Sequence, residues 1–225
     1  NNSTEPGFTV SQNVTLDLNG KTVTLDGTLT VAEDCTLSGM DSSSKEYIAP
    51  SGKIVGGVSN YAKTYETPKV MEGDVETYDR YVAISGTEAD GKANLSFHHF
   101  NISVTGYRFE LAAPKCALFF IGKFQGDKAA KDHLTELGFT LDGLYGSDPK
   151  KVVTCTMPAA LGNEVVDEEG VYCFEAYLMR SFDKNDTAAY QTNISATAQA
   201  KFQNGGTQKS TPQYLSFEDA WKNAE

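Results

Sequence analysis

Between residues 8 and 57 the chain turns too often for anything but very short strands. FTV, NVTLDLNG, KTVTLDG, TLTVAED, CTLSGM and GKIVGG follow one another there, with strand starts about 7 to 9 residues apart. Val14, Leu16 and Leu18 share one face of their strand, and the Val23/Leu25 and Leu29/Val31 pairs repeat the pattern. Asn19-Gly20, Asp26-Gly27, Glu33-Asp34, Ser38-Gly39 and Gly56-Gly57 mark the turns. This cadence leaves no room for wide loops and predicts a coiling solenoid; a meander of hairpins is the alternative. One rung of a coil takes roughly 20 to 25 residues, so the stretch supplies about two turns. Two turns bury too little surface to stand alone. A cap is therefore expected, either the neighbouring domain or further turns before Asn1.

Phe97 to Phe124 carries the densest apolar and aromatic content in the chain, and Ala117 to Ile121 is a continuous apolar run of the kind covered on both faces. It is expected to be the spine of a second, sandwich-like domain beginning near Tyr81. Leu95 and Phe97 are in one phase, Phe100, Ile102 and Val104 in the other, and Tyr107, Phe109 and Leu111 resume after Gly106; such slips mark bulges or a strand changing sheets. Tyr81–Ile84, residues 139–141 and 152–157, a nearly all-apolar strand over 171–179, and an alternating strand over 190–202 complete the β pattern. Two short helices interrupt it. One runs from Lys128 to Leu137, capped by Asp127 and closed by Gly138; the other follows a Ser216/Asp219 capping box and presents Phe217, Ala220, Trp221 and Ala224. Residues 58–79 are weakly periodic and read as a linker. Its Tyr61, Tyr65 and Tyr78 are expected to pack that connection onto its neighbour; stacking on sugar rings is the alternative. The expected division is 1–57 (coil), 58–79 (linker) and 80–225 (sandwich).

The 225 residues carry a net charge of -11 with only three arginines, Arg80, Arg108 and Arg180. Nucleic-acid and anionic-membrane binding need clustered Lys and Arg, so both are excluded as expectations. No apolar run reaches the roughly 20 residues that span a bilayer. The chain opens NNSTEPG, which reads as a mature or excised fragment. Cys35, Cys116, Cys155 and Cys173 show no metal-ligand spacing and lie in apolar β runs, so buried thiols are expected over disulfides, whose connectivity the spacing leaves open.

Ser96-Phe97-His98-His99-Phe100, FFIGKFQGD at 119–127, Leu137 to Leu141, Tyr172 to Leu178 and Leu215 to Ala220 resemble a module of secreted, multi-module proteins of Gram-positive gut bacteria. Leu16-Asp17-Leu18-Asn19-Gly20-Lys21-Thr22 resembles right-handed β-helix segments of bacterial surface proteins. The resemblance implies an all-β chain with a short right-handed β-helix-like segment packed on an immunoglobulin-like β-sandwich, at an extracellular or cell-surface location. It implies no catalytic residues.

The residues themselves offer little chemistry. GKIVGG at 52–57 meets neither the P-loop nor the dinucleotide pattern, and there is no nucleophile elbow. His98-His99 has no local nucleophile or carboxylate and reads as structural. Asp17 and Asp26 are the carboxylates available to a polysaccharide-degrading activity, but both sit beside turns, where Asp bonds its own backbone. Asp183, Asn185 and Asp186 offer oxygen ligands without an EF-hand pattern. Sequons begin at Asn2, Asn13, Asn94, Asn101, Asn185 and Asn193; the bacterial resemblance argues against their glycosylation. The expectation is a non-enzymatic extracellular adhesion or glycan-binding module, or a spacer, with no cofactor or metal, whose partners are host or bacterial glycans or surface proteins. A polysaccharide lyase or hydrolase, or its accessory module, is the alternative.

Overall fold

The computed structural model describes residues 3–12, 14–27, 29–33, 35, 37–56, 69–72, 75–78, 80–112, 115–143, 150–156, 165–168, 171–181, 191–203 and 207–223. Within them the fold is all-β, with two short α-helices and one 3-10 turn. The chain divides into two compact units: residues 1–101 with 126–133, and residues 102–125 with 134–225.

The first unit opens with seven short strands: β1 (Ser3–Glu5), β2 (Phe8–Val10), β3 (Val14–Asp17), β4 (Thr22–Leu25), β5 (Leu29–Val31), β6 (Leu37–Met40) and β7 (Lys53–Val55). Every pairing among them is parallel and skips two strands: β4 lies between β1 and β7, β2 pairs β5, and β3 pairs β6. Hairpins pair antiparallel neighbours, so this pattern is a three-faced coil. Its corners are backbone steps from rung to rung, Asp26 N–H to Glu5 O (2.9 Å), Ala32 N–H to Val10 O (2.9 Å) and Leu18 N–H to Met40 O (3.0 Å). Asn19 (φ 44°) and Gly20 (φ 72°) take the left-handed conformation that the Asn-Gly turn supplies.

The expected boundary at residue 80 does not hold. After β8 (Lys69–Glu72) and β9 (Val75–Tyr78), which form a hairpin, β10 (Arg80–Thr87) pairs with the first half of β11 (Ala93–Ala112), and β11 pairs antiparallel with β7. Tyr81, Ala83, Leu95 and Phe97 join Leu18, Leu25, Leu29, Leu37 and Ile54 in one buried cluster. The cap demanded by a short coil is thus the hairpin of residues 80–101, inside the coil's own unit. Phe97 lies so close over Gly39 that a Cβ there would enter its ring. Lys53 of the last rung donates to both oxygens of Glu88 (2.7 and 2.9 Å), and the Asn94 side-chain amide donates to the same carboxylate (2.7 Å). Of the expected linker, residues 69–72 and 75–78 are strand; Tyr61 and Tyr65 lie outside the described residues.

In the second unit, residues 102–112 of β11 adjoin β12 (Lys115–Gly126). β16 (Val171–Ser181) follows in the same sheet, then β15 (Val165–Glu168). The other sheet runs β14 (Lys150–Thr156), β13 (Leu134–Asp142), β17 (Ile194–Phe202), with β18 (Thr207–Lys209) and β19 (Gln213–Leu215) both on β17. Phe139 meets Phe174 at 5.2 Å and Phe124 meets Phe202 at 6.1 Å, joining the two sheets as a sandwich. β17 alternates as its sequence requires, with Ile194, Ala196, Ala198, Ala200 and Phe202 buried. The Ser210 hydroxyl accepts from Ala198 N–H (3.0 Å) while its own N–H donates to Ala198 O (2.8 Å), continuing the ladder between β18 and β19.

Two further expectations need correction. β12 and β16 are covered on one face, not two. Cys116, Leu118, Phe120 and Phe124 are buried, while Phe119 and Ile121 are half-buried and Tyr177 and Met179 exposed. Arg108 partly shields that outer face, its guanidinium 3.5 Å above the Phe119 ring. The helix expected over 128–137 is α1 (Lys128–Asp132); from Leu134 the chain is β13. Leu134 and Leu137 are buried either way, but pairing with Phe202 and Ala200 satisfies their backbone in the sheet, through a register shift between Leu134 and Glu136. Asp127 caps α1 by accepting from Ala130 N–H, and Ser216 caps α2 (Phe217–Lys222) by accepting from Asp219 N–H, both as expected.

Candidate functional site

The second unit carries a cleft of about 290 Å³ lined by Val104 to Tyr107 of β11, Phe120 of β12 and Gln213 to Leu215 of β19. It follows from the sequence in three steps. The Gly106 position is where the apolar phase of β11 slips, and beyond it Tyr107 stands 38% exposed. The three-residue β19 is held to β17 by Tyr214 opposite Ser195 and Leu215 opposite Ile194. Leu215 turns inward, so Tyr214 points out and is 66% exposed. Asn223, just past α2, donates its side-chain amide to the Tyr107 hydroxyl at 2.9 Å. A phenol oxygen that accepts still has its own hydrogen to donate. The lining therefore combines two exposed aromatic rings, the Gln213 amide, the Thr105 hydroxyl and an oriented phenol, with no ionisable carboxylate or ammonium among its residues.

The first unit holds a buried polar chain that sequence reading missed. His98 Nδ1 stands 2.6 Å from Asp127 Oδ2, and His98 Nε2 stands 2.8 Å from Ser96 Oγ. Ser96 and His98 are two apart on β11 and so share a face; Asp127 arrives through the chain's return at residue 126. Burial pushes the Asp127 carboxyl up, but the His98 ring and the Ala130 and Ala129 amides outweigh it and hold its pKa below the ordinary 3.8. The ionised carboxylate accepts Nδ1–H, Nε2 is bonded to the Ser96 hydroxyl, and that hydroxyl also stands 3.4 Å from Ile84 O. The order carboxylate–imidazole–hydroxyl is also that of a serine nucleophile and its base. Catalysis requires in addition amide donors aimed at a developing oxyanion. Ser96 instead lies within a continuous ladder, opposite Ile84 and flanked by the Leu95–Ser85 and Phe97–Ala83 pairs. The chain ties β11 to the start of α1. The His99 ring stacks on Tyr47 at 4.9 Å, and its backbone N–H donates to the Ser44 hydroxyl (2.8 Å).

Asp17 is committed to the coil. Its Oδ1 accepts from Asn19 N–H and Ser42 N–H, both at 2.9 Å. Asp26 follows β4 and is exposed. A third carboxylate, absent from the sequence reading, is the most buried among the described residues. Asp41 is 0% exposed; Oδ1 accepts from Gly20 N–H (2.8 Å), Ser43 N–H (2.9 Å) and Ser43 Oγ–H (2.6 Å), and Oδ2 accepts from Gly52 N–H (2.9 Å). It ties two corners of the coil, at Gly20 and Gly52, to the 3-10 turn (Ser42–Tyr47). The only hint in the sequence was Asp before three serines, an N-cap pattern. Asp183, Asn185 and Asp186 lie outside the described residues. Among the described residues no three His, Cys, Asp or Glu side chains gather as metal ligands. Cys35 and Cys173 are free thiols, Cys116 is buried, and the side chain of Cys155 is outside the description. No described helix is long and apolar enough to cross a membrane.

No protein-family model matches the chain, and no curated protein matches it significantly. Several solved structures align with part of it, two of them as follows. One, a Northeast Structural Genomics Consortium target named SoR45, is 9% identical with a TM-score of 0.29, covering 52% of this chain and 86% of that one. The other, a Bordetella pertussis protein given the name ApaA, is 12% identical with a TM-score of 0.27, covering 52% and 91%.

Proposed function

We propose that this chain is a non-catalytic, extracellular glycan-binding module of a cell-surface adhesion protein, its sandwich an immunoglobulin-like unit carrying the binding cleft. The observation that carries the reading is the cleft with Tyr107, Tyr214 and Gln213 on its walls. Sugar rings present C–H faces to aromatic planes and hydroxyls to amides and phenols, and this lining offers both. Its volume is at the lower end of small-ligand sites, roughly 300 Å³ and upward. The coil supports a spacer role, because parallel rungs locked at their corners by Asp17 and Asp41 make a short, stiff element.

The alternative, a polysaccharide-degrading enzyme, draws on Asp17 and Asp26. Asp17 is engaged by two backbone amides, which favours the structural assignment. A glycan array of the full chain, with a reducing-sugar assay on every hit, separates the readings. Binding without turnover is expected. Turnover abolished by Asp17→Asn or Asp26→Asn would establish the alternative, and neither binding nor turnover would reduce the chain to a spacer.

A further inference from the structure

We infer that the Tyr107–Tyr214 cleft is a single subsite for an uncharged pyranose, with Tyr214 as its platform, Tyr107 as a hydrogen-bond donor and Asn223 as the residue that positions that donor. This rests on the glycan-binding reading and adds the ligand class and the residue roles. Charge decides the class. The lining contains no Lys, Arg or His to pair with a uronate, sialate or sulfate. The chain as a whole carries -11, so an anionic sugar would approach against a repulsive field and lose hydration without a partner.

Size and wall chemistry decide the rest. At about 290 Å³ the cleft suits one ring and part of its neighbour, not an extended polymer. Tyr214 is the most exposed large apolar side chain among the described residues, at 66%. Its backbone is fixed on β19 by the ladder to β17, so the ring offers a face at little ordering cost. Tyr107 accepts from Asn223, which leaves the phenol hydrogen to be directed at a ligand oxygen. Gln213 supplies both an amide donor and a carbonyl acceptor to adjacent hydroxyls.

The test is an array of neutral, uronic, sialylated and sulfated glycans, followed by calorimetric titration of the best hit against variants of the full chain. All three side chains to be changed are exposed, so the fold should survive; matching circular dichroism and melting curves check this. Tyr214→Ala should weaken binding at least tenfold, and Tyr214→Phe should restore it. Tyr107→Phe should cost about two- to tenfold, the loss of one hydrogen bond. Asn223→Ala should cost less, and nothing further in the Tyr107→Phe background, because its role runs through that hydroxyl. Neutral-glycan binding indifferent to Tyr214→Ala and Tyr107→Phe would overturn the cleft assignment and leave the glycan reading standing. Binding confined to anionic glycans would overturn the ligand class. No binding to any glycan would overturn both readings together.

Discussion

Replacing Asp41 should unfold the coil before anything else in the molecule. Its carboxylate is wholly buried and accepts four hydrogen bonds, three of them from backbone amides at Gly20, Ser43 and Gly52. Asp41→Ala removes every acceptor at once. Each buried donor left without a partner costs about 1–3 kcal/mol. Gly52 is buried, whereas Gly20 and Ser43 are half-buried, so water can re-satisfy part of the loss at two of the three. The expected total is then about 3–5 kcal/mol, a large part of the roughly 5–15 kcal/mol that holds a domain folded. Asp41→Asn keeps the shape and one acceptor oxygen but turns an N–H₂ toward the Gly52 N–H, and should cost about 1–3 kcal/mol. The readout is hydrogen exchange by mass spectrometry in a urea series, because the two units need not unfold together. Protection should fall first in residues 14–56 of the variant, with residues 134–142 and 194–202 little changed. An Asp41→Ala chain whose first-unit peptides keep protection within about 0.5 kcal/mol of the parent would refute the reasoning, since that is the size of an ordinary surface change.

Three other outcomes follow from the same geometry. The Asp127 carboxyl is held below its ordinary 3.8, so its contribution is complete above about pH 4 and is lost as pH falls through the depressed folded value. The stability difference between the parent and Asp127→Asn, from urea melts between about pH 6 and 2, should shrink over that acid window, and a constant difference would contradict it. His98→Ala strips the buried Asp127 carboxylate of its imidazole and should cost about 3 kcal/mol; a thermal melt that does not move would argue against the buried pair. In the second unit, a Cβ on Gly122 would lie 2.5 Å from Phe174 Cζ and 2.9 Å from Phe139 Cζ, so Gly122→Ala should destabilise by about 1–3 kcal/mol through overpacking, read as a lowered urea midpoint in the peptides of β12 and β16.

The cadence of residues 8–57 made the coil legible, because strands that short, each starting so soon after the last, cannot alternate with wide loops. The clean alternation of 194–202 made β17 legible, and the Asp127 and Ser216 caps fixed where two helices begin. The sequence misled where one apolar set served two geometries. Leu134 and Leu137 fit a helical face, yet the sheet claims them, since β17 offers backbone partners as well as a core. The division near residue 80 was hidden because β10 and the start of β11 look like sandwich strands; the antiparallel pairing of β11 to β7, which no local pattern encodes, places β11 and its partner β10 with the coil. The same long-range pairing explains the missed sites. Asp41 reads as a turn residue until Gly20 and Gly52 are folded around it. Asp127 meets His98 from 29 positions away. Tyr107 and Tyr214 are far apart in sequence, and neither stands out until β11 and β19 line one cleft.

A crystal structure of the full chain grown with the best neutral oligosaccharide from the array tests the functional account most directly. The account predicts one pyranose ring lying against the Tyr214 face, with an oxygen within hydrogen-bond distance of the Tyr107 hydroxyl, which keeps its bond from Asn223. A sugar bound elsewhere on the chain, with the Tyr107–Tyr214 cleft holding solvent alone at saturating ligand, would contradict it.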